Sequence, residues 1–207
     1  MSDSQELNHI VSLSGCQDAE VLALFRYGSR VYGCFNNNSD YDYILIKDSG
    51  AKTEIINGNI NINVYSRNDF LSNLFDHDIS ALECFFIDTK HILRLNIGFM
   101  FSIEKIKLRH AVSEKASHSF VKAKKKFIVP ASQDIYAGKK SLFHSLRIID
   151  FGIQIAKYDT IKDYASVNAL HDQIINNPSI NWDDYHKIYK PLFNTMMTDF
   201  RKLAPKE

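Results

Sequence analysis

The sequence predicts an α+β fold, with a strand-containing N-terminal half at residues 1–98 and an all-helical C-terminal half at residues 99–207. Before residue 67, runs rich in β-branched and aromatic residues are bounded by glycine, asparagine and serine, as is typical of strands. After about residue 100, apolar residues recur at helical spacing to the end of the chain. A length of 207 residues suits one domain or two small ones.

Local patterns predict the individual elements. Residues 3–13 favour a short helix, and EVLALFRYGS (20–29) is a strand that runs into a glycine turn. YDYILI contains a second strand at 42–46, and TEIINGNININVYS (53–66) is a hairpin around Asn57-Gly58. From Arg67 onward the pattern is helical, with loops expected at 130–138 and at 176–178.

Composition limits the class of protein. Hydrophobic residues make up 45% of the chain and charged residues 24%, which suits an ordinary globular core. No apolar run approaches the roughly 18–20 residues that span a bilayer, and the polar N-terminus is unlike a signal peptide. Three cysteines, an odd number without metal-type spacing, indicate free thiols in a reducing compartment. We therefore expect a cytoplasmic protein with no membrane partner.

Charge is unevenly distributed along the chain. Residues 105–140 contain ten Lys or Arg and two acidic residues, a net charge of +8, which leaves −7 for the remainder. A basic segment beside an acidic remainder fits a polyanionic partner such as a nucleotide or RNA. A solvent-exposed helix face fits the same pattern.

The stretch RYGSRVYGCFNNNSDYDYILI, from Arg26 to Ile46, contains the strongest chemical signal. Asp40 and Asp42 lie at i and i+2, so a strand projects both carboxylates from one face, where a divalent cation relieves their repulsion. Gly28-Ser29 allows close backbone approach to a phosphate and adds a hydroxyl at a helix start. Together these features describe a phosphoryl or nucleotidyl transfer site, whereas a Gly-Ser turn before an Asx-rich loop is the structural alternative.

The same stretch resembles the signature of the polymerase-β-type nucleotidyltransferase superfamily: Gly-Ser, a second Gly, then Ser-Asp-x-Asp on the next strand. It is most similar to a bacterial and phage branch of predicted nucleotidyltransferases with the motif GS-x-x-x-G…SDYD. The resemblance covers roughly residues 20–160, through VYSRNDFLSNLFDHDISALECFF, which contains Tyr65 and Glu83, and KSLFHSLRIIDFG, a Lys-x-x-x-His-x-x-Arg helix. It implies a mixed β-sheet with flanking helices, an NTP substrate and Mg²⁺ or Mn²⁺ as cofactor.

The resemblance also implies roles for particular residues. Asp40 and Asp42 are expected to hold the metal and, with Ser29, to be catalytic. The residues expected to bind the nucleotide are Gly28, Ser29, Arg30, Ser39, Lys140, His144 and Arg147.

The superfamily usually has a third carboxylate, and the resemblance places it at Asn61. On an alternating strand, Asn61, Asn63 and Tyr65 share one face. An amide has no charge and cannot accept a proton as a carboxylate can, so Glu54 and Glu83 are alternative third ligands. Two functions therefore remain: an enzyme moving an NMP, AMP above all, to a hydroxyl on RNA, protein or a small molecule, or a nucleotide- or RNA-binding regulator without turnover.

Two helical patterns complete the prediction. Residues 140–156, taken as a helix, place Lys140, His144 and Arg147 on one stripe, opposite an apolar stripe. The cationic stripe either faces the triphosphate, in one cleft with the Asp pair, or faces solvent. The spacing of Trp182, Tyr185, Tyr189 and Phe193 predicts a core-facing helix.

Overall fold

Two structural units follow one another along the chain. The computed structural model describes residues 2–206. The first unit runs to Ser102, and the second begins at Ile103. The elements of the first unit are α1 (Asp3–Ser14), β1 (Val21–Tyr27), α2 (Ser29–Tyr32), β2 (Tyr41–Lys47), β3 (Thr53–Asn57), β4 (Ile60–Ser66), α3 (Arg67–Phe75), α4 (Ile79–Phe85) and β5 (Ile92–Leu95). Those of the second are α5 (Lys105–Ile128), α6 (Ile135–Tyr158), α7 (Asn168–Asn176) and α8 (Trp182–Leu203).

The first unit contains a five-stranded mixed sheet in the order β3-β4-β2-β1-β5. β1 runs antiparallel to both β2 and β5, and β3 runs antiparallel to β4. β2 and β4 are parallel neighbours at the centre of the sheet. The predicted α+β fold, with a mixed sheet, flanking helices and a helical C-terminal half, is confirmed.

The alternation of side chains along the strands divides the sheet into two faces. On one face, Leu45, Ile62 and Val64 are buried in a cluster with Ile10 and Val11 of α1. The polar residues of β4, which alternate with these, lie on the other face and are only partly buried. The strand therefore covers a core with one face and presents amides on the other.

The β3–β4 hairpin is present, but its turn lies one residue later than predicted. Asn57 pairs with Ile60, which leaves Gly58 and Asn59 as the two-residue loop. Gly58 has a φ of +60°, whereas Asn57 has an ordinary strand conformation. A single positive φ at the first loop position suits glycine, so Gly58 alone sets the turn.

Two further expectations need correction. The sequence after Arg67 was expected to be helical, yet β5 adds a four-residue edge strand to β1. Gly138 was expected in a loop but lies inside α6. A Cβ at Gly138 would approach the ring of Phe127 to 2.7 Å, so glycine is needed there for close packing of α6 on α5 rather than for a turn.

The second unit is a bundle built on α5 and α6, both 24 residues long. A Cβ at Gly152 of α6 would lie 2.8 Å from Val112 of α5 and 3.0 Å from Phe200 of α8, so three helices meet closely there. The aromatic residues predicted to face the core from the C-terminal helix are all buried: Trp182, Tyr185, Tyr189 and Phe193. Among residues 2–206, no helix has the length and apolar character needed to cross a bilayer.

Candidate functional site

A sharp turn between β1 and α2 forms the first part of the site. Gly28 follows the last residue of β1 and has φ +77° and ψ −157°, a combination that side chains disfavour. The N–H groups of Val31 and Tyr32 donate to the Gly28 carbonyl, which begins α2. The N–H groups at the start of a helix have no acceptor within the helix. The turn therefore offers backbone donors and the Ser29 hydroxyl to an anion.

Asp42 lies directly against this turn. It pairs across the ladder with Tyr27, the residue before Gly28. A Cβ at Gly28 would come within 2.9 Å of the Asp42 carboxyl carbon and closer still to Oδ2. Glycine is thus required twice at this position, by its φ and by the carboxylate beside it. The predicted phosphate turn and one predicted metal ligand are in contact.

Asp40 precedes β2 by one residue and is exposed, whereas Asp42 is half-buried. Their spacing places both on the same side of an extended chain. Two carboxylates at the mouth of the strand, one open to solvent, provide hard oxygen ligands.

Asn61 lies beside Asp42. The parallel register of β2 and β4 pairs the two residues, and Asn61 Nδ2 donates to Asp42 Oδ1 over 3.1 Å. At this position Asn61 acts as a hydrogen-bond donor to the carboxylate. An aspartate there would instead bring a second negative charge against Asp42, which only a cation or a proton relieves.

The two glutamates considered as substitutes lie in different environments. Glu54 is exposed on the edge strand β3 and pairs with Asn63, two pairs along the ladder from Asn61 and on the same face. Glu83 is fully buried in α4, and its Oε2 accepts a hydrogen bond of 2.6 Å from the Tyr32 hydroxyl. Glu83 therefore lies in the interior, bonded to Tyr32 of α2.

Arg30 and Ser39 shape the loop before β2. Arg30 donates to the carbonyls of Ser39 and Asp40, at 2.7 Å and 3.2 Å, and its guanidinium carbon lies 3.7 Å from the centre of the Tyr41 ring. The Ser39 hydroxyl accepts from the Asn36 N–H. Both residues, expected at the nucleotide, are thus engaged in fixing the segment that presents Asp40.

In the helical unit, the stripe on α6 is more buried than expected. Lys140 is exposed, but Arg147 is only 6% exposed and lies between the rings of Phe143 and Phe151. Arg147 Nη2 lies 2.8 Å from His144 Nδ1 and donates to it, so the imidazole accepts with its unprotonated nitrogen. An entirely solvent-facing stripe is therefore excluded.

The electrostatics of His144 involve two lysines of the basic segment at residues 105–140. Burial, followed by the positive charges of Arg147, Lys115 and Lys122, holds the pKa of His144 well below its usual value. Lys115 and Lys122 both belong to α5. Their proximity to α6 makes this part of the bundle strongly electropositive.

The carboxylate oxygens of the first unit fit a magnesium ion whose remaining ligands come from the substrate. Within residues 2–206, no three His, Cys, Asp or Glu side chains cluster as a metal site. Mg²⁺ usually binds through one or two carboxylates plus substrate phosphates, and Asp40 and Asp42 beside the Gly28 turn match that pattern. Asp40 and Asp42 would hold the ion.

Comparisons with known proteins add two distant structural likenesses. No protein family model matches the chain, and no curated protein matches it. The spectinomycin adenyltransferase AAD(9) from Enterococcus faecialis, solved with ATP and spectinomycin, is 10% identical, with a TM-score of 0.49 over 96% of this chain and 99% of that one. A nucleotidyltransferase-like protein from Exiguobacterium sibiricum 255-15 is 9% identical, with a TM-score of 0.33 over 98% and 74%. Similarity this low gives no information on the substrate.

Proposed function

We propose that the chain is a Mg²⁺-dependent nucleotidyltransferase that moves an NMP, with AMP the first to test, from an NTP to an acceptor hydroxyl. The contact between the Gly28 turn and the Asp42 carboxylate is the observation that supports this most strongly. It joins an anion-binding backbone to a hard-cation ligand, which is the combination that a metal-bound triphosphate requires.

The residues of the turn would hold the substrate. The backbone N–H groups after Gly28 and the Ser29 hydroxyl bind the β- and γ-phosphates. Asp40 and Asp42 would hold a divalent ion, which would supply positive charge to neutralise the phosphate oxygens. Arg30 contributes by fixing the loop that carries Asp40.

The reaction is an in-line displacement at the α-phosphorus. The acceptor oxygen forms a bond to phosphorus while the bond to the α–β bridging oxygen breaks, and pyrophosphate leaves with that oxygen. The hydroxyl proton passes to a base, for which an aspartate of the pair is the candidate on this chain. Lys140 and Arg147 are proposed to stabilise negative charge on the nucleotide, while neutral His144 orients the Arg147 guanidinium. The acceptor is proposed to be RNA, protein or a small molecule.

One observation favours a second candidate, a nucleotide- or RNA-binding regulator without turnover. The amide of Asn61 occupies the position beside Asp42 where the resembled superfamily has a carboxylate, and it donates to Asp42. A metal site with one carboxylate fewer binds the triphosphate but activates the acceptor less well.

Substitution of the two aspartates tests the site. Asp40→Ala and Asp42→Ala should both fold and should lose the thermal stabilisation that ATP and Mg²⁺ together give the wild type. Asp48→Ala, an exposed aspartate just after β2, is the matched control and should keep that stabilisation. Wild-type stabilisation in both site variants would refute the metal assignment.

A further inference from the structure

Two Tyr-Gly pairs frame the phosphate turn, and they have the same conformational feature. Tyr27 precedes Gly28, and Tyr32 precedes Gly33; both glycines have positive φ, +77° and +75°. The chain thus changes direction at each end of α2 immediately after a tyrosine. The two rings contact each other edge to face, with centroids 5.9 Å apart.

Tyr32, the second of these tyrosines, binds a buried carboxylate of α4. The Tyr32 hydroxyl donates to Glu83 Oε2 over 2.6 Å. Burial, followed by the negative charge of nearby Glu83, raises the pKa of Tyr27 well above its usual value. Glu83 is 0% exposed, so its bond to Tyr32 forms in an environment from which water is excluded.

We propose that Glu83 is a positioning residue that clamps the Gly28–Gly33 turn onto α4 through Tyr32, against which the Tyr27 ring packs, and so sets the turn's affinity for the phosphates of an NTP. This inference rests on the proposed function, because it assigns Glu83 a role in binding the proposed substrate. It replaces the metal-ligand role that the sequence left open for Glu83.

The physical reason is that α2 has only four residues and cannot hold its own shape. A single helical turn fixes several backbone dihedrals for very few hydrogen bonds. The two positive-φ glycines at its ends add conformational freedom in the unclamped chain. A hydrogen bond that is buried away from water is costly to lose, so the bond from Tyr32 to Glu83 orders the turn at its C-terminal end.

The chain supplies a matched control for the loss of a tyrosine–glutamate bond. Tyr43, on β2 in the same unit, donates its hydroxyl to Glu6 Oε1 over 2.9 Å. Tyr43 belongs to the core cluster with α1 and, as the neighbour of Asp42 on β2, points to the opposite face of the sheet. Tyr43→Phe therefore removes an equivalent bond without touching the clamp.

The experiment combines hydrogen exchange without ligand and calorimetric binding of Mg²⁺-ATP and of inorganic tripolyphosphate. In Glu83→Gln and Tyr32→Phe, the amides of residues 28–33 should exchange at least about tenfold faster, and both ligands should bind about tenfold more weakly. Tyr43→Phe should leave the exchange of residues 28–33 and both affinities unchanged. If Glu83→Gln does not fold, Tyr32→Phe, which loses a single oxygen, tests the proposal by itself.

The outcomes separate the two proposals. Wild-type exchange in residues 28–33 and wild-type affinity in the two variants would overturn the clamp and leave the proposed function intact. An equal loss of affinity in Tyr43→Phe would also overturn it, because the effect would then be one of general stability. A wild-type protein that binds neither ATP nor tripolyphosphate would overturn the proposed function itself.

Discussion

Gly28 is the residue on which the proposed site depends most directly. Its backbone needs positive φ, and its missing side chain leaves room for the Asp42 carboxylate. Few positions in a protein have both requirements. Gly15, the C-cap of α1, has only the first, since its φ is +69° and a Cβ added there would meet no atom within 4 Å.

Gly28→Ala should therefore do more harm than Gly15→Ala. Left-handed backbone costs a non-glycine residue about 1–2 kcal/mol, which is the loss of stability expected for Gly15→Ala. Gly28→Ala adds displacement of Asp42, so it should lose more stability and also lose Mg²⁺-dependent ATP binding. Urea unfolding and calorimetry measure the two effects. Equal stability loss and retained ATP binding in both variants would contradict the geometry described for Asp42.

Asn61 is the second residue whose substitution tests the site. In Asn61→Asp, a carboxylate would replace the amide that donates to Asp42 Oδ1. Without metal, repulsion between the two carboxylates should lower the melting temperature, and Mg²⁺ should raise it more than in wild type. Turnover should rise or appear, because loss of a general base typically costs about 10²–10⁴-fold in rate.

Glu54→Gln and Glu83→Gln are the comparison variants for Asn61→Asp. If Asn61→Asp gains neither Mg²⁺ stabilisation nor activity while Glu54→Gln is inactive, the third ligand is Glu54 and the assignment to Asn61 is wrong. Loss of activity in Glu83→Gln with weakened ATP binding would instead reflect the clamp.

At the scale of elements, α6 contains a histidine, His144, whose neutral form is favoured by its surroundings. His144 and Arg147 lie one turn apart and bond to each other, and the pKa of His144 is lowered first by burial and then by neighbouring cations. A histidine that stays neutral in the folded chain protonates in the unfolded chain below about pH 6.5. The unfolded state then binds more protons, so stability falls with falling pH until the folded imidazole also protonates.

The second unit should accordingly lose stability between pH 7 and pH 5, at no more than about 1.4 kcal/mol per pH unit from this one group. His144→Gln should flatten the pH dependence of the unfolding free energy in that window. His118→Gln, at an exposed histidine of α5, is the control and should leave it unchanged. A wild-type slope in His144→Gln would show that the lowered pKa belongs to another group.

Some features of the helices and strands could be predicted from the local sequence, and others could not. The alternation in β4 and the glycine at its hairpin are local signals, and both were readable. β5 was missed because four residues at a sheet edge are too few to show a period. The burial of Glu83 was not readable from the sequence, because a carboxylate in a helix gives no local sign of it and its partner, Tyr32 of α2, is distant along the chain.

At the scale of the whole molecule, the most informative sequence patterns were those that fix a local geometry. The spacing of Asp40 and Asp42 and the Gly28-Ser29 pair pointed to one site, and the structure adds the contact between Gly28 and Asp42 that spacing cannot give. The parallel pairing of β2 with β4 brings Asn61 to Asp42 through a non-local register. Arg147 is buried, and Lys115 acts on His144, because α5 packs on α6. A helical wheel of α6 alone gives no information on that packing.

The identity of the bond broken in the NTP tests the central claim most directly, because water can replace an unknown acceptor. ATP labelled at the α-phosphate is incubated in a single-turnover format with Mg²⁺ or Mn²⁺, alone and with pools of RNA, protein and small hydroxyl compounds. The account predicts labelled AMP, free or attached to an acceptor, together with pyrophosphate, and a loss of at least about 100-fold in Asp42→Asn. Labelled ADP with inorganic phosphate, or ATP that binds and stays intact in every pool, would contradict it.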